Sequence, residues 1–168
     1  MSLFIRPARE EDLESLAANF NCAYGRSHRD DILDQEAGHV SFLLAILNGD
    51  IAGQGFVNWS GPRDQEIACL YSDCPEIYRF DVLETLRSKG IGSALLTAFE
   101  EEAQAREFQR IGLGVAHYNH RARALYERSG FKPVDPQSYI DSYVYENEKN
   151  EVVRAEDACA WYIKEFAR

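Results

Sequence analysis

The stretch Glu84–Leu96, ETLRSKGIGSALL, changes character at its centre. It leaves an apolar run carrying Ile77, Tyr78, Phe80, Val82 and Leu83, a strand pattern that starts at Glu76. It then turns through Gly90 and Gly92 and enters a helical pattern, with Ala94, Leu95, Ala98, Phe99, Glu102 and Ala103 on one side. Glycine lets a backbone approach a ligand closely and adopt φ values that other residues avoid. The amides of Lys89, Gly90, Ile91, Gly92 and Ser93 belong to the turn and the first helical turn. There N–H groups have no intrahelical partner and the dipole carries about half a positive charge. Arg87 and Lys89 add full charges, and the set suits a diphosphate. A plain strand–helix turn, with glycines serving geometry alone, fits this stretch equally well. Two other phosphate loops do not: G-x-x-x-x-G-K-[ST] is absent, and a dinucleotide fingerprint needs a third glycine where Leu95 stands.

Around this junction the chain alternates strands and helices. LFIRP (Leu3–Pro7) reads as a first strand, followed by Leu13, Leu16, Ala17 and Phe20 at helical spacing behind Glu10, Glu11 and Asp12. The polar segment Gly25–His39 reads as a loop with a short helix. Two apolar runs then meet at Asn48-Gly49, a hairpin signal because both residues tolerate positive φ. Arg63–Cys74 reads as loop and strand. Past the helix after Gly92, RIGLGVAHY is a strand, Asn119 an N-cap for HRARALYERS, and Gly130 a C-terminal stop that lets Phe131 pack back. Strand–helix–strand units in the second half imply a parallel pair and the hairpins an antiparallel remainder, so the fold class is a mixed α/β sheet flanked by helices.

With 168 residues, one domain over 1–168 is expected. The net charge of −10 argues against a nucleic-acid partner, since phosphate binding rests on Lys and Arg. No apolar run approaches a membrane span, and MSLFIRPAREED turns acidic too early for a secretory signal. Cys22, Cys69, Cys74 and Cys159 form no CxxC pair, which fits free thiols in a reducing compartment. A cytoplasmic protein with no membrane partner is expected.

VLETLRSKGIGSALL resembles the acyl-CoA-binding motif of the GNAT superfamily of N-acetyltransferases, whose pattern is Arg or Gln, x, x, Gly, x, Gly or Ala. NHRARALYERSGF resembles the family's later Asn-x-x-Ala-x-x-x-Tyr and Gly-Phe. The opening strand, helix and Asn-Gly hairpin also match, and the resemblance covers most of Leu3–Val134. Two departures stand out: Glu84-Thr85 replaces a common Pro-Glu, and Ser88 a common Gly. Neither introduces a proline, so no amide is lost to the diphosphate.

The resemblance implies acetyl-CoA as co-substrate, an amine acceptor and no metal. The site would comprise Val82, Leu83, Glu84, Arg87–Ser93 and Asn119, in a cleft where two parallel strands splay apart. It further implies an amide near Val82 or Leu83 facing the acyl carbonyl, and Tyr126 as the acid that protonates the departing thiolate. Against that, Tyr126 shares a helix face with Ala122 and Leu125, as a core residue would. Glu76 is implied as the base for the ammonium, with a surface glutamate as the plain alternative. Regular strand alternation would put its rival Asp81 on the opposite face.

His117, His120, Cys69 and Cys74 match no common zinc spacing, and G-x-S-x-G is absent. Arg121, Arg123 and Arg128 give one helix a basic face on which one residue can reach a CoA phosphate. The resemblance places Asp30, Asp31, Asp34 and Glu36 in the region of the acceptor wall, where, with Trp59, Tyr78 and Tyr139 as lining, their charge would suit a small cationic amine. A protein or peptide amine, or a CoA-binding regulatory or scaffold domain without turnover, are the alternatives. Residues 136–157 are expected to add a hairpin beside the acceptor cleft or against a second subunit, making a homodimer.

Overall fold

The computed structural model describes Met1–Ala167. Strand β1 (Leu3–Pro7) leads through a 3-10 turn at Glu10–Asp12 into α1 (Leu13–Asn19). The buried Asp12 fixes that corner, accepting from Arg6 Nη1 and Nη2 at 2.7 and 2.8 Å and from the Arg9 amide at 2.8 Å. Helix α2 (His28–Glu36) starts from a reciprocal cap between Ser27 and Asp30. Strands β2 (Val40–Leu47) and β3 (Asp50–Asn58) are joined by Asn48 and Gly49, at φ 53° and 95°, the two positive values a tight hairpin needs. Arg63–Cys74 holds no strand. Asp64 caps Ile67 N–H at 3.1 Å and starts a short helix, α3 (Gln65–Leu70).

Strand β4 (Glu76–Val82), helix α4 (Ile91–Ala105), strand β5 (Arg110–Ala116) and helix α5 (His120–Arg128) follow, then β6 (Lys132–Glu146) and β7 (Val152–Glu165). The seven strands form one sheet in the order β1-β2-β3-β4-β5-β7-β6. Every pairing is antiparallel except β4 with β5. A crossover through α4 joins that parallel pair. Helix α4 lays Ile91, Leu95, Leu96, Phe99 and Ala103 on one sheet face, beside Tyr126 of α5 and Phe131. Each of its large apolar residues contributes roughly 1.5–3 kcal/mol by burial. Smaller clusters hold the other helices, Leu16, Ile32, Phe42 and Phe56 under α1 and α2 and Ile67, Cys74 and Trp161 under α3.

Strand β4 is not regular. Gln54 of β3 faces Asp81, but Phe56, two residues on, faces Tyr78, three residues back, so β4 carries one extra residue. That residue is marked by Arg79, whose φ is +46°. A non-glycine there costs about 1–2 kcal/mol, and the side chain is anchored to offset it. Arg79 donates to Asp31 at 3.0 Å and to the Asn21 carbonyl at 3.2 Å, and it stacks on Phe56. The bulge switches the faces: Tyr78 packs on Phe56, whereas Phe80 packs on Phe99 across the sheet. Asp81 therefore returns to the face of Glu76, against the expectation from regular alternation. It also ends the parallel pairing early. Strands β4 and β5 meet only at Glu76↔Gly112 and Ile77↔Leu113 before parting.

Candidate active site

Where β4 leaves β5, a cavity of about 420 Å³ opens between the end of β4, the head of α4 and one flank of α5. Gly90 is the N-cap of α4, at φ 81°, with open space where a Cβ would stand. Ala94 N–H is the first to bond back, to Gly90 O at 3.0 Å. The amides of Ile91, Gly92 and Ser93 consequently have no acceptor within the helix, and all three residues line the cavity. Arg87 and Ser88 line the same wall; Lys89 and Glu84 are exposed beside it, outside the lining. Gly92 allows close packing with α5: a Cβ there would lie 3.0 Å from Leu125 Cδ2.

Helix α5 supplies the opposite wall. Asn119 caps it by accepting from Ala122 N–H at 3.2 Å, and it also faces the cavity. Of the three arginines, Arg121 and Arg128 line the cavity, and Arg121 Nη2 donates to Ser88 Oγ at 2.8 Å. Arg123 turns away to the Tyr162 hydroxyl and the His117 carbonyl. Tyr126 does two things at once: its ring packs among Phe80 and Phe131 in the core, and the residue lines the cavity. Burial raises its phenol above the ordinary tyrosine range, so it stays protonated and able to donate.

The end of β4 sorts two candidate amides. Leu83 N–H donates to Ala52 O at 2.9 Å and is committed to the sheet. Antiparallel partners alternate between bonded and non-bonded pairs, so at the next pair, Gly53↔Val82, the Val82 N–H and C=O point away from β3. Val82 C=O accepts from Arg87 Nε at 3.1 Å, on the cavity side. Val82 N–H is the amide the ladder leaves facing the gap.

Tyr126 and Glu76 do not share a cavity. Glu76 lines a second one, about 450 Å³, together with Tyr78 and Arg79 of β4, Tyr139 and Asp141 of β6, and Asp157 of β7. The two cavities adjoin β4 on either side of the Arg79 bulge. Glu76 is 6% exposed, and its carboxylate accepts from Arg63 N–H at 2.8 Å and from Arg63 Nε and Nη2 at 3.0 and 3.3 Å. Gly114 of β5 makes room for Tyr139: a Cβ there would fall 1.9 Å from the Tyr139 hydroxyl. Burial raises the Tyr78 and Tyr139 phenols.

The acids expected from α2 do not form this wall. Asp31 is buried against Arg79 and Arg26, Asp34 is paired with Arg26, and Asp30 is spent on the α2 cap. Trp59 lies elsewhere, stacked on Phe108 under Arg106 with its indole N–H on Ser41. Tyr78 and Tyr139 do line the cavity. The acids that face it, Asp64, Asp141 and Asp157, come from chain segments far apart, and no short motif marks them. Among the described residues no group of three or more His, Cys, Asp or Glu side chains is arranged to hold a metal, and no helix is long and apolar enough to cross a membrane.

The chain is 36% identical over 97 residues to the uncharacterized N-acetyltransferase YycN of Bacillus subtilis, an overlap covering 58% of each protein. In fold it is similar to an N-acetyltransferase from Staphylococcus aureus Mu50, with a TM-score of 0.70, 20% identity, and 98% and 99% of the two chains covered. It is likewise similar to the PaiA N-acetyltransferase from Thermoplasma acidophilum, solved in complex with coenzyme A, with a TM-score of 0.66, 17% identity, and 99% and 100% of the chains covered. The model of the Acetyltransferase (GNAT) family matches residues 8–131, from the end of β1 through α5 to Phe131, and the chain belongs to that family.

Proposed function

We propose that this protein transfers an acetyl group from acetyl-CoA to a primary amine, and that the amine is small and positively charged. One observation carries the reading: the unpaired Ile91, Gly92 and Ser93 amides head a cavity that opens where β4 parts from β5. That donor set fits a diphosphate, with Arg87, Arg121 and the Ser88 hydroxyl beside it and space over Gly90 for close approach. Acetyl-CoA supplies an acyl carbon bound to sulfur. A charged amine gives up one proton to become nucleophilic and a second as its N–C bond forms and the C–S bond breaks, and one of the two must reach sulfur. Val82 N–H would donate to the acyl oxygen, and such a preorganised donor contributes about 3–4 kcal/mol to acyl transfer. Tyr126, kept protonated by burial, would give its proton to sulfur. Glu76 would receive the nitrogen's proton, directly or through water, from the far side of the bulge.

A second reading is favoured by one contact. Three of the roughly four acceptor sites of the Glu76 carboxylate are taken by Arg63 donors, which suits a CoA-binding module without turnover. Calorimetry with acetyl-CoA and a thiol-release assay over an amine panel separate the two. The enzyme reading requires saturable binding and amine-dependent release. Binding without release selects the module, and absence of binding removes both.

A further inference from the structure

Among the described residues, three carboxylates of the second cavity have no counter-ion. Arg63 is committed to Glu76 and Arg79 to Asp31. Among the described residues, no Lys, Arg or His lies within ion-pair distance of Asp64, Asp141 or Asp157. Asp141 and Asp157 are moreover register partners across β6 and β7. That placement holds two like charges about 5 Å apart at Cβ and is destabilising by itself. Asp157 accepts from the Tyr118 and Tyr143 hydroxyls at 3.2 and 3.1 Å, while Asp141 accepts no side-chain hydrogen bond among the described residues. Burial holds the Asp141 carboxyl above its ordinary range; Arg63 opposes the shift, and Asp64 and Asp157 add to it. A separate observation points into the same space. Tyr139 is 6% exposed and lines the cavity, yet its hydroxyl, seated over Gly114, bonds to no group among the described residues.

We infer that the acceptor is a diamine: one amine lies by Tyr139 at the β4–β5 gap, and the second, as an ammonium, sits between Asp141 and Asp157. This rests on the acetyltransferase reading and names its acceptor class. A second cation relieves the Asp141–Asp157 repulsion, which a neutral or monocationic amine of the same length leaves in place. Tyr139 and Asp141 stand two residues apart on one face of β6, and the Tyr139 hydroxyl reaches across to Gly114 of β5, so the two seats are separate. 1,4-Diaminobutane is the simple dication that probes both. The Tyr139 hydroxyl can accept from one amine or donate to it, and Tyr78 adds an aromatic wall for the methylenes.

The test uses the full chain and reads binding apart from turnover. Calorimetry at low salt compares 1,4-diaminobutane with butylamine, on wild type and on Asp141→Asn and Asp157→Asn. Acetyl-CoA affinity, which depends on the other cavity, serves as the folding control. The diamine is expected to bind at least about tenfold tighter than butylamine, the scale of one charge-assisted contact. Each variant should cut that ratio several-fold, and high salt should compress it. In thiol release the same ratio should appear chiefly in KM. Equal binding of the two amines by wild type, or an unchanged ratio in both variants, overturns the proposal. So does preferential acetylation of a peptide α-amine over every diamine. Absent acetyl-CoA binding would sink the acetyltransferase reading instead, and the diamine ratio would still decide whether the acid pair is a cation seat.

Discussion

Arg63 grips Glu76 with three donors while its guanidinium carbon lies 4.1 Å from the Tyr78 ring centroid. A buried carboxylate so held either waits for a proton or organises its surroundings. Glu76→Gln keeps the shape and removes the proton acceptor. If Glu76 is the base, kcat falls by roughly 10²–10⁴-fold with acetyl-CoA affinity unchanged. If it only organises, the unfolding midpoint drops and kcat holds. Steady-state rates and a denaturant melt, run on the same preparation, distinguish the two.

Tyr126→Phe deletes one hydroxyl beside the sulfur's expected place and leaves the ring packing on Phe80 and Phe131 intact. Acetyl-CoA binding should stay within about twofold, while kcat falls by roughly 10²-fold for loss of the acid. A variant with unaltered kcat would assign Tyr126 to packing alone.

The same phenol gives a stability prediction whose sign is fixed. Burial raises the folded-state pKa of Tyr126 and Tyr139 above the unfolded value near 10. Below pH 10 both states keep these protons and stability is unaffected. Above it the unfolded chain ionises first, so stability falls with rising pH by about 1.4 kcal/mol per unit for each phenol, until the folded pKa is reached. Urea unfolding at pH 9 to 11 should show this, with a shallower slope in Tyr126→Phe. The thiols of Cys74 and Cys159, pushed up to about 12 and about 11 by burial, add to the loss.

The parts of this design that short-range chemistry sets were legible in the chain. Asn48-Gly49 had to turn, Asn119 had to cap, and Gly90 and Gly92 had to head a helix with open amides, because each signal lies within a few residues of its effect. The bulge at Arg79 was not legible: a positive φ at arginine is held by Asp31 and Phe56, neighbours supplied by distant strands and helices. Helix α3 hid for a related reason, since in six residues only Ile67 is buried and no periodic stripe can form. The acid wall failed as a reading because charge was visible but pairing was not. Asp30, Asp31 and Asp34 of α2 are spent on arginines and a cap, whereas Asp141 and Asp157 gain their meaning only from the β6–β7 register.

Arg87 holds the Val82 carbonyl and stands 3.6 Å from Asp81 at the cavity edge. Arg87→Glu places a negative charge by the expected diphosphate and releases that carbonyl. Acetyl-CoA affinity should fall by at least about tenfold, and the loss should shrink in high salt. The melting temperature should hold, because the loop is exposed. A titration that matches wild type would mean the diphosphate is bound elsewhere.

Gly114→Ala tests whether Tyr139 is positioned for the acceptor. The new methyl would lie 1.9 Å from the Tyr139 hydroxyl and 3.2 Å from its Cζ, so the phenol must shift. Acetyl-CoA is proposed to bind on the other side of the β4 bulge, so its affinity should be unaffected, whereas KM for the amine should rise several-fold. Tyr139→Phe removes the atom that clashes. If the clash is the cause, adding Gly114→Ala to Tyr139→Phe should cost far less than adding it to wild type, and the two changes should be non-additive by about 0.5–3 kcal/mol, as touching groups are. Strict additivity would show that the hydroxyl and the glycine act independently, and Tyr139 would then have no positioning role at the gap between β4 and β5.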